Sequence, residues 1–222
     1  MVPAAVVAET FASLKAGLDV RAAGRIVAAD LSAFSSGFAE LDRALSGGFV
    51  RGSIATLEGP TSSGTTSVLA GALAAATRTG FAAAIHDGTL YPPDLQRAGV
   101  CLDRLLLVCA DAPLAAARCA DILLRSRAFG LVTLPAVSVR GTVWSRLGAL
   151  AKKADTLVLA LGAQAGTELG YFASTRVRCA IERVFWSEGG GILRELAGYE
   201  VCTQVFKHRR GALGTVARLR IA

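Results

Sequence analysis

Apolar runs alternate with amphipathic stretches through the first three quarters of the chain. Short apolar runs predict buried strands at 53–58, 81–87, 102–110, 129–137 and 156–163. Helices are predicted between them, at 66–79, 113–127 and 142–154. A further helix is predicted within 89–100, where Pro92 and Pro93 start it and Gly99 stops it. Strands that alternate with helices, and that are apolar almost throughout, are typical of a parallel sheet covered on both faces. The predicted fold class is therefore α/β, with a largely parallel central sheet flanked by helices.

The two ends of the chain show other patterns. After Gly170, apolar and polar residues alternate one by one, which predicts C-terminal antiparallel strands joined by turns at 188–191 and 211–214. Near the N-terminus one apolar stripe at helical spacing predicts a helix too short to be stable alone. The stripe consists of Val7, Phe11, Leu14 and Leu18. We therefore divide the chain into residues 1–30, an N-terminal helix and linker that form a possible docking segment, and residues 31–222, the core domain. The stripe is expected to fold back on its own chain, to pack on another copy or to contact a partner.

The stretch GPTSSGTTS at 59–67 lies between a predicted strand and a predicted helix. Phosphate-binding loops of the form G-x-x-x-x-G-K-[S/T] have this position, and Gly59, Gly64 and Thr66 fit the form. Thr65 stands where the form has lysine, and no other Lys or Arg occurs between Gly52 and Arg78. The loss of a charge-assisted contact to a phosphate costs about 2–5 kcal/mol. The sequence therefore predicts weak or absent ATP binding, no nucleotide cofactor and no ATPase activity.

Composition narrows the class of protein further. A chain of 222 residues with 53% hydrophobic content buries one good core. No apolar run reaches the roughly 18 residues of a membrane span, and the N-terminus lacks the basic start of a signal peptide, so a cytoplasmic protein without membrane contact is expected. Five cysteines without a C-x-x-C pair, and only two histidines, favour small buried thiols over a metal or disulfide site.

Formal charge is +7 and unevenly spread. Residues 171–222 hold nine Lys/Arg against four Asp/Glu, whereas the other 170 residues hold fifteen against thirteen. A basic C-terminal quarter predicts a polyanion or an acidic protein surface as partner, unless the excess reflects a generally arginine-rich coding style. The candidate partner or DNA patch comprises Arg176, Arg178, Lys207, Arg209 and Arg210. Its phosphate contacts would be independent of sequence and sensitive to salt, but the run from 207 to 210 also fits a solvated hairpin end.

Several motifs in order resemble the RecA-type ATPase core. They are SSGFAELDRALSGGFVRGS at 35–53, the phosphate loop, PPDLQRAGV at 92–100, YFASTRVRCAIER at 171–183 and QVFKHRRGALG at 204–214. The resemblance implies a RecA-like fold over nearly the whole chain. Within that superfamily the stretch YPPDLQRAGVCLDRLLLV at 91–108 and the small size of the chain resemble the ImuA group, RecA-like accessory proteins of DNA-damage-induced mutagenesis. That resemblance implies three partners: an ImuB-type inactive Y-family polymerase, an error-prone C-family DNA polymerase and RecA.

The resemblance also assigns roles to three further positions. RecA-type proteins place an acidic residue for Mg²⁺ at the end of the fourth strand, where this chain has Pro135. Asp87 lies near the position of the catalytic glutamate, and Gln164 near that of a glutamine that senses the γ-phosphate. With the lysine and the Mg²⁺ ligand replaced, we expect all three to be vestigial. Asp87 then serves as a strand-end residue or cap, and Gln164 as a hydrogen-bonding loop residue.

The family's DNA-contacting loops are reduced here to SVRGTV (138–143) and AGTELG (165–170), so filament-style binding of single strands is not expected. Trp144 and Trp186 are interpreted as core or edge residues. The resulting expectation is a non-catalytic RecA-like adaptor in SOS-induced error-prone translesion synthesis. The alternatives are a divergent ATP-dependent recombinase or motor, and an SOS cell-division inhibitor.

Overall fold

The computed structural model of the protein describes residues 33–187, 195–209 and 213–221. The predicted N-terminal helix with Val7, Phe11, Leu14 and Leu18 lies outside these residues. So do Arg210, the predicted turn at 188–191 and the first half of the predicted turn at 211–214. The N-terminal docking segment therefore stays a prediction.

A central sheet of eight strands confirms the predicted α/β class. Its strands are β3 Ile54–Glu58, β4 Phe81–His86, β5 Leu105–Cys109, β6 Phe129–Pro135, β7 Leu157–Gly162, β8 Thr175–Trp186, β9 Leu196–His208 and β10 Val216–Ile221. They lie in the order β10-β9-β8-β3-β7-β6-β4-β5. The six strands from β8 to β5 in that order run parallel, and β9 and β10 join as antiparallel strands. Two short strands, β1 Ala33–Phe34 and β2 Phe49–Val50, pair separately.

The described helices are α1 Ala39–Ala44, α2 Thr65–Thr79, α3 Pro92–Arg97, α4 Pro113–Ser126, α5 Gly141–Ala154 and α6 Thr167–Phe172. Helix α3 starts and stops as predicted, because Pro92 and Pro93 start it and Gly99, with φ of +88°, follows its end. No described helix has the length and apolar character needed to cross a membrane.

Two predicted details are wrong. The predicted strand at 102–110 begins with a 3₁₀ turn, Leu102–Arg104, so β5 is shorter. Tyr171 and Phe172 end helix α6 and do not start the next strand. The predicted C-terminal antiparallel strands are confirmed, because β8 pairs antiparallel with β9 and β9 with β10. On its other edge β8 also pairs with β3, and that pairing is parallel. Alternation of apolar and polar residues reports which face is buried, and it does not report strand direction.

The core lies between the sheet and its helices. Strands β3 and β7 are buried along most of their length, and α2 packs Val68, Leu69 and Leu73 into the same cluster. Trp144 is fully buried, as predicted, whereas Trp186 is exposed at the end of β8. The prediction of buried thiols is wrong for most cysteines.

The five cysteines are all free, and Cys179 alone among them is buried. Cys101 and Cys109 are exposed because they lie at the two ends of the segment that forms the edge strand β5. Burial raises the pKa of the Cys179 thiol to about 12.

Candidate functional site

The phosphate-type loop lies where the sequence predicts it, between β3 and α2. The loop follows the carboxyl end of a parallel strand, which is where open α/β sheets bind ligands. Gly64 precedes α2 with φ of +83°, a conformation that favours glycine. A Cβ atom at Gly64 would lie 2.4 Å from Cγ2 of Val201, and one at Gly59 would lie 2.6 Å from the carbonyl oxygen of Cys179. The close packing of the loop against β8 and β9 is therefore enough by itself to require glycine at both positions.

A cleft of about 780 Å³ opens above this loop. Its floor is the loop with the first turn of α2, residues 59–67. Its opposite wall consists mainly of apolar side chains from β7, β8 and β9: Leu161, Ile181, Val184, Trp186 and Leu196. None of the described residues that line the cleft carries a charge. The floor offers hydroxyl groups and backbone N–H groups, but it offers no cation for a phosphate.

Thr65 turns towards the loop itself, where its hydroxyl shares a hydrogen bond with that of Ser63. The same first turn of the helix is tied to β9, because the hydroxyls of Ser67 and Tyr199 lie 2.5 Å apart. Together with the Val201 contact at Gly64, this bond holds the C-terminal strands against the loop. Sequence reasoning missed Tyr199, since its role depends on a contact between residues far apart in the chain.

Glu58, the last residue of β3, holds the base of the loop. It is only 3% exposed, and its carboxylate accepts four hydrogen bonds. Thr56 Oγ1 donates to Oε1 at 2.6 Å, and the backbone N–H of Ala165 donates to Oε2 at 3.0 Å. Arg176 donates from Nε to Oε1 and from Nη2 to Oε2, both at 2.8 Å. The carboxylate thereby joins β3, β8 and the loop after β7.

The electrostatics of Glu58 follow from these contacts. Burial raises the pKa of its carboxyl, but the hydrogen bonds from Arg176, Thr56 and Ala165, with the Arg176 charge, hold that pKa below its ordinary value. Glu58 is therefore ionised and paired. Sequence reasoning missed it, although a signal exists: it is an acid at the end of an otherwise apolar buried strand, and a buried charge requires a partner.

Strands β8 and β9 position the predicted basic patch. Arg176 is half-buried against Glu58, with its guanidinium 4.6 Å from the centre of the Phe206 ring. Arg178 is exposed and lies over the same ring at 5.0 Å. Arg209 is also exposed.

Lys207 occupies a more enclosed place. Its Nζ donates to the carbonyl oxygens of Gly170 at 2.9 Å and Tyr171 at 3.0 Å, at the end of α6. Desolvation, followed by the charges of Arg176 and Arg209, lowers the pKa of Lys207. Among the described members of the patch, Arg178 and Arg209 present the most accessible charge.

Asp87, Pro135 and Gln164 lie at or just after the carboxyl ends of the neighbouring strands β4, β6 and β7, and none of them is among the described residues that line the cleft. Asp87 is exposed just after β4, where its Oδ1 accepts hydrogen bonds from the Thr89 hydroxyl at 2.7 Å and from the Thr89 backbone N–H at 3.3 Å. The Thr89 hydroxyl is the main reason that the pKa of Asp87 is lowered. Asp87 thus forms a local turn, the alternative role weighed above.

Pro135 ends β6, paired with Leu161 of β7. The following residue, Ala136, donates its N–H to the carbonyl of Leu161 at 2.6 Å. Gln164 is exposed beside the cleft, and its neighbour Ala165 holds Glu58. Neither Pro135 nor Gln164 lines the described part of the cleft.

The fold and the loop together define a RecA-like α/β core. A profile of the RecA N-terminal domain matches residues 17–145, more than half of the chain, so the chain belongs to the RecA N-terminal domain family. It is 40% identical to Protein RecA of Corynebacterium aurimucosum over 111 residues, which cover 49% of this chain and 29% of that protein. It is 39% identical to Protein RecA of a Nocardioides species over 118 residues, which cover 52% of this chain and 34% of that protein.

These matches span about a third of each RecA relative. Among solved structures, the crystal structure of the RadB recombinase superposes with a TM-score of 0.65. The superposition covers 85% of this chain and 96% of that one. Sequence identity there is 18%, so this likeness shows the fold alone.

Proposed function

We propose that this RecA-like chain is a non-catalytic adaptor of the ImuA kind in SOS-induced, error-prone translesion DNA synthesis. The observation that carries the proposal is the cleft above the phosphate loop, whose described lining is uncharged. Thr65 occupies the lysine position, and Pro135 occupies the position of the Mg²⁺-binding acid. Phosphoryl transfer depends on cations that neutralise the developing charge on the phosphates, so a cleft without them is unsuited to it.

An adaptor of this kind works through surfaces. Its proposed partners are an ImuB-type inactive Y-family polymerase, RecA and the error-prone C-family DNA polymerase complex, in the cytoplasm. Arg178 and Arg209 supply weak DNA binding that depends on salt and not on base sequence. A pulldown with purified ImuB-type protein and with RecA, in the absence of nucleotide, tests the partner assignment.

Thermal unfolding with and without millimolar Mg-ATP tests the absence of nucleotide binding. A ligand at about 100 times its Kd stabilises a protein by roughly 2.7 kcal/mol, which is a visible shift in Tm. We expect no shift for the natural chain. A Thr65→Lys variant, run beside it, shows whether the missing charge is the cause, because this variant restores a cation to the loop.

A divergent ATP-dependent recombinase is the second candidate. The sequence identity to RecA proteins favours it. This candidate requires a lysine or arginine supplied from outside the loop, for example by a neighbouring chain, and it predicts that Mg-ATP raises the Tm of the natural protein. Such a shift, with Thr65 unchanged, would overturn the adaptor proposal.

A further inference from the structure

Helices α4 and α5 leave an apolar groove on the outside of the molecule, away from the phosphate loop. The groove has a volume of about 330 Å³, and Leu114, Ile122, Val143 and Leu147 supply much of its apolar lining. Leu114 and Ile122 are each 51% exposed, although Leu123 and Leu124 of the same helix are buried in the core. Eight residues separate Leu114 from Ile122, so they lie about 12 Å apart along α4. Helix α4 therefore presents apolar side chains on its outer face as well as on its core face.

Two arginines, Arg118 and Arg146, and one acid, Asp121, are among the residues that line this groove. Asp121 at its edge accepts a hydrogen bond from Arg125 Nε at 2.7 Å and another from Arg146 Nε at 2.6 Å. One carboxylate thus serves two guanidinium groups. Arg118 lies between Leu114 and Ile122 on α4, is exposed, and forms no ion pair with any described residue. The groove therefore has an apolar floor and a rim with excess positive charge.

The local sequence agrees with this charge. Residues 113–155 hold seven Lys/Arg against two Asp. The chain thus has a second basic region besides the C-terminal strands. A nucleic-acid backbone would use the arginines but would leave the apolar floor unoccupied, because phosphate and sugar contacts are polar.

We propose that the groove between α4 and α5 is a docking site for an acidic amphipathic helix of a partner protein. Helices that dock in grooves place apolar anchors on one face, one or two turns apart, which matches the spacing of Leu114 and Ile122. Carboxylates beside those anchors pair with Arg118 and with the outer nitrogens of Arg125 and Arg146. The proposal rests on the adaptor role, for which it names one docking surface and the chemistry of its partner.

The test uses the full chain and two synthetic peptides of about 18 residues, or five helical turns. One peptide carries leucines along one helical face with glutamates beside them, and the other has lysine in place of each glutamate. Fluorescence anisotropy measures binding of each labelled peptide. We expect the glutamate peptide to bind at least about tenfold more tightly than the lysine peptide, because like charges across an interface oppose binding.

Variants localise the binding. Ile122→Asp and Arg118→Glu each weaken binding of the glutamate peptide by about tenfold or more, because one removes an apolar contact and the other reverses a rim charge. Tyr91→Asp is the matched control, since Tyr91 is 60% exposed, lies at the start of α3 and does not line the groove. It leaves binding unchanged. Thermal unfolding confirms that each variant is folded.

Three results would overturn the proposal: equal binding of the two peptides, binding unaffected by Ile122→Asp, or a dimer of the natural chain that Ile122→Asp converts to monomer. The last result assigns the groove to a second copy of the chain. The peptide assay contains no nucleotide, so its failure and the failure of the adaptor role are distinguishable. A Tm shift with Mg-ATP counts against the adaptor role, whereas loss of peptide discrimination counts against the groove alone.

Discussion

The cleft above the phosphate loop and the groove between α4 and α5 differ in where their charge lies. Beneath the floor of the cleft, Glu58 and Arg176 form an ion pair with each other, and the described lining of the cleft carries no charge. At the groove, Arg125 and Arg146 share one acid, Asp121, and Arg118 forms no ion pair with any described residue; all three arginines remain at the surface. Charge at the first site holds two strands, β3 and β8, and a loop together. Charge at the second is available to a partner.

The two kinds of charge pair also differ in energetic consequence. Removal of one partner from a buried ion pair leaves a charge with neither water nor counter-ion, and this costs about 3–5 kcal/mol. An exposed pair contributes about 0–1 kcal/mol, because water and salt replace the lost contact. Substitutions at the two sites therefore test whether the loss of a charge costs more stability beneath the cleft than at the groove.

Glu58→Gln is expected to have the largest effect. The amide replaces the carboxylate but cannot neutralise Arg176, whose side chain is 20% exposed. We expect a loss of about 3–5 kcal/mol in the free energy of unfolding. Urea denaturation measures it as a lower midpoint with an unchanged slope.

Asp87→Asn provides the control, because Asp87 is an exposed carboxyl that bonds only to Thr89 among the described residues. Its cost should remain within about 0.5 kcal/mol. The double variant Glu58→Gln/Arg176→Met should recover part of the loss, since it removes the unpaired charge. Equal midpoints for Glu58→Gln and the natural chain would show that the pair contributes nothing to stability.

Gly64→Ala tests how tightly the phosphate-type loop packs against β9. Alanine at φ of +83° costs about 1–2 kcal/mol in backbone conformation, and its Cβ would meet Val201 at 2.4 Å. Overpacking adds about 1–3 kcal/mol, so the midpoint of urea unfolding should fall clearly. Gly166→Ala is the control: Gly166 has φ of −59°, and nothing lies within 4 Å of an added Cβ. A similar loss in both variants would contradict the tight packing of β9 against the loop.

The loss of stability at acid pH tests the contribution of the buried Glu58 carboxylate in a second way. The pKa of Glu58 is lower in the folded chain than its ordinary value of 4.5. A carboxyl with a depressed folded pKa contributes stability above its unfolded pKa and loses that contribution as pH falls through the folded pKa. Unfolding midpoints measured from about pH 7 to pH 3 should therefore fall at the acid end. The fall should be shallower in Glu58→Gln, which lacks this titration. If the unfolding midpoint falls equally steeply with pH in both proteins, Glu58 is not the group responsible for the loss of stability in acid.

Sequence patterns predicted the parallel half of the fold and the loop, because both depend on local signals. Apolar runs mark β3, β4, β6 and β7, and glycines with hydroxyl residues mark the turn into α2. Local signals do not extend to contacts across the sheet. Glu58 and Arg176 lie 118 positions apart, and only the pairing of β3 with β8 brings them together.

The basic groove was missed for a different reason. The predicted charge asymmetry compared one quarter of the chain with the remainder, and acids elsewhere offset the arginines of α4 and α5. A count over the segment that contains these two helices shows the positive excess, because residues 113–155 hold seven Lys/Arg against two Asp. Helix α6 was missed because it is six residues long, too short to show helical periodicity.

The smallest effect is expected at the groove. Arg125 and Asp121 form an exposed pair four residues apart on α4, and the Arg125 side chain is 56% exposed. Arg125→Gln should cost about 0.3–0.5 kcal/mol, because Arg146 still neutralises Asp121 and water replaces the lost contact. Urea unfolding at low salt and at about 1 M salt measures the difference, which should vanish at high salt, where charges are screened beyond about 3 Å. A cost that approaches that of Glu58→Gln, or that persists in salt, would mean that the groove arginines stabilise the fold. They would then not be available for a partner, and the contrast between the two sites would fail.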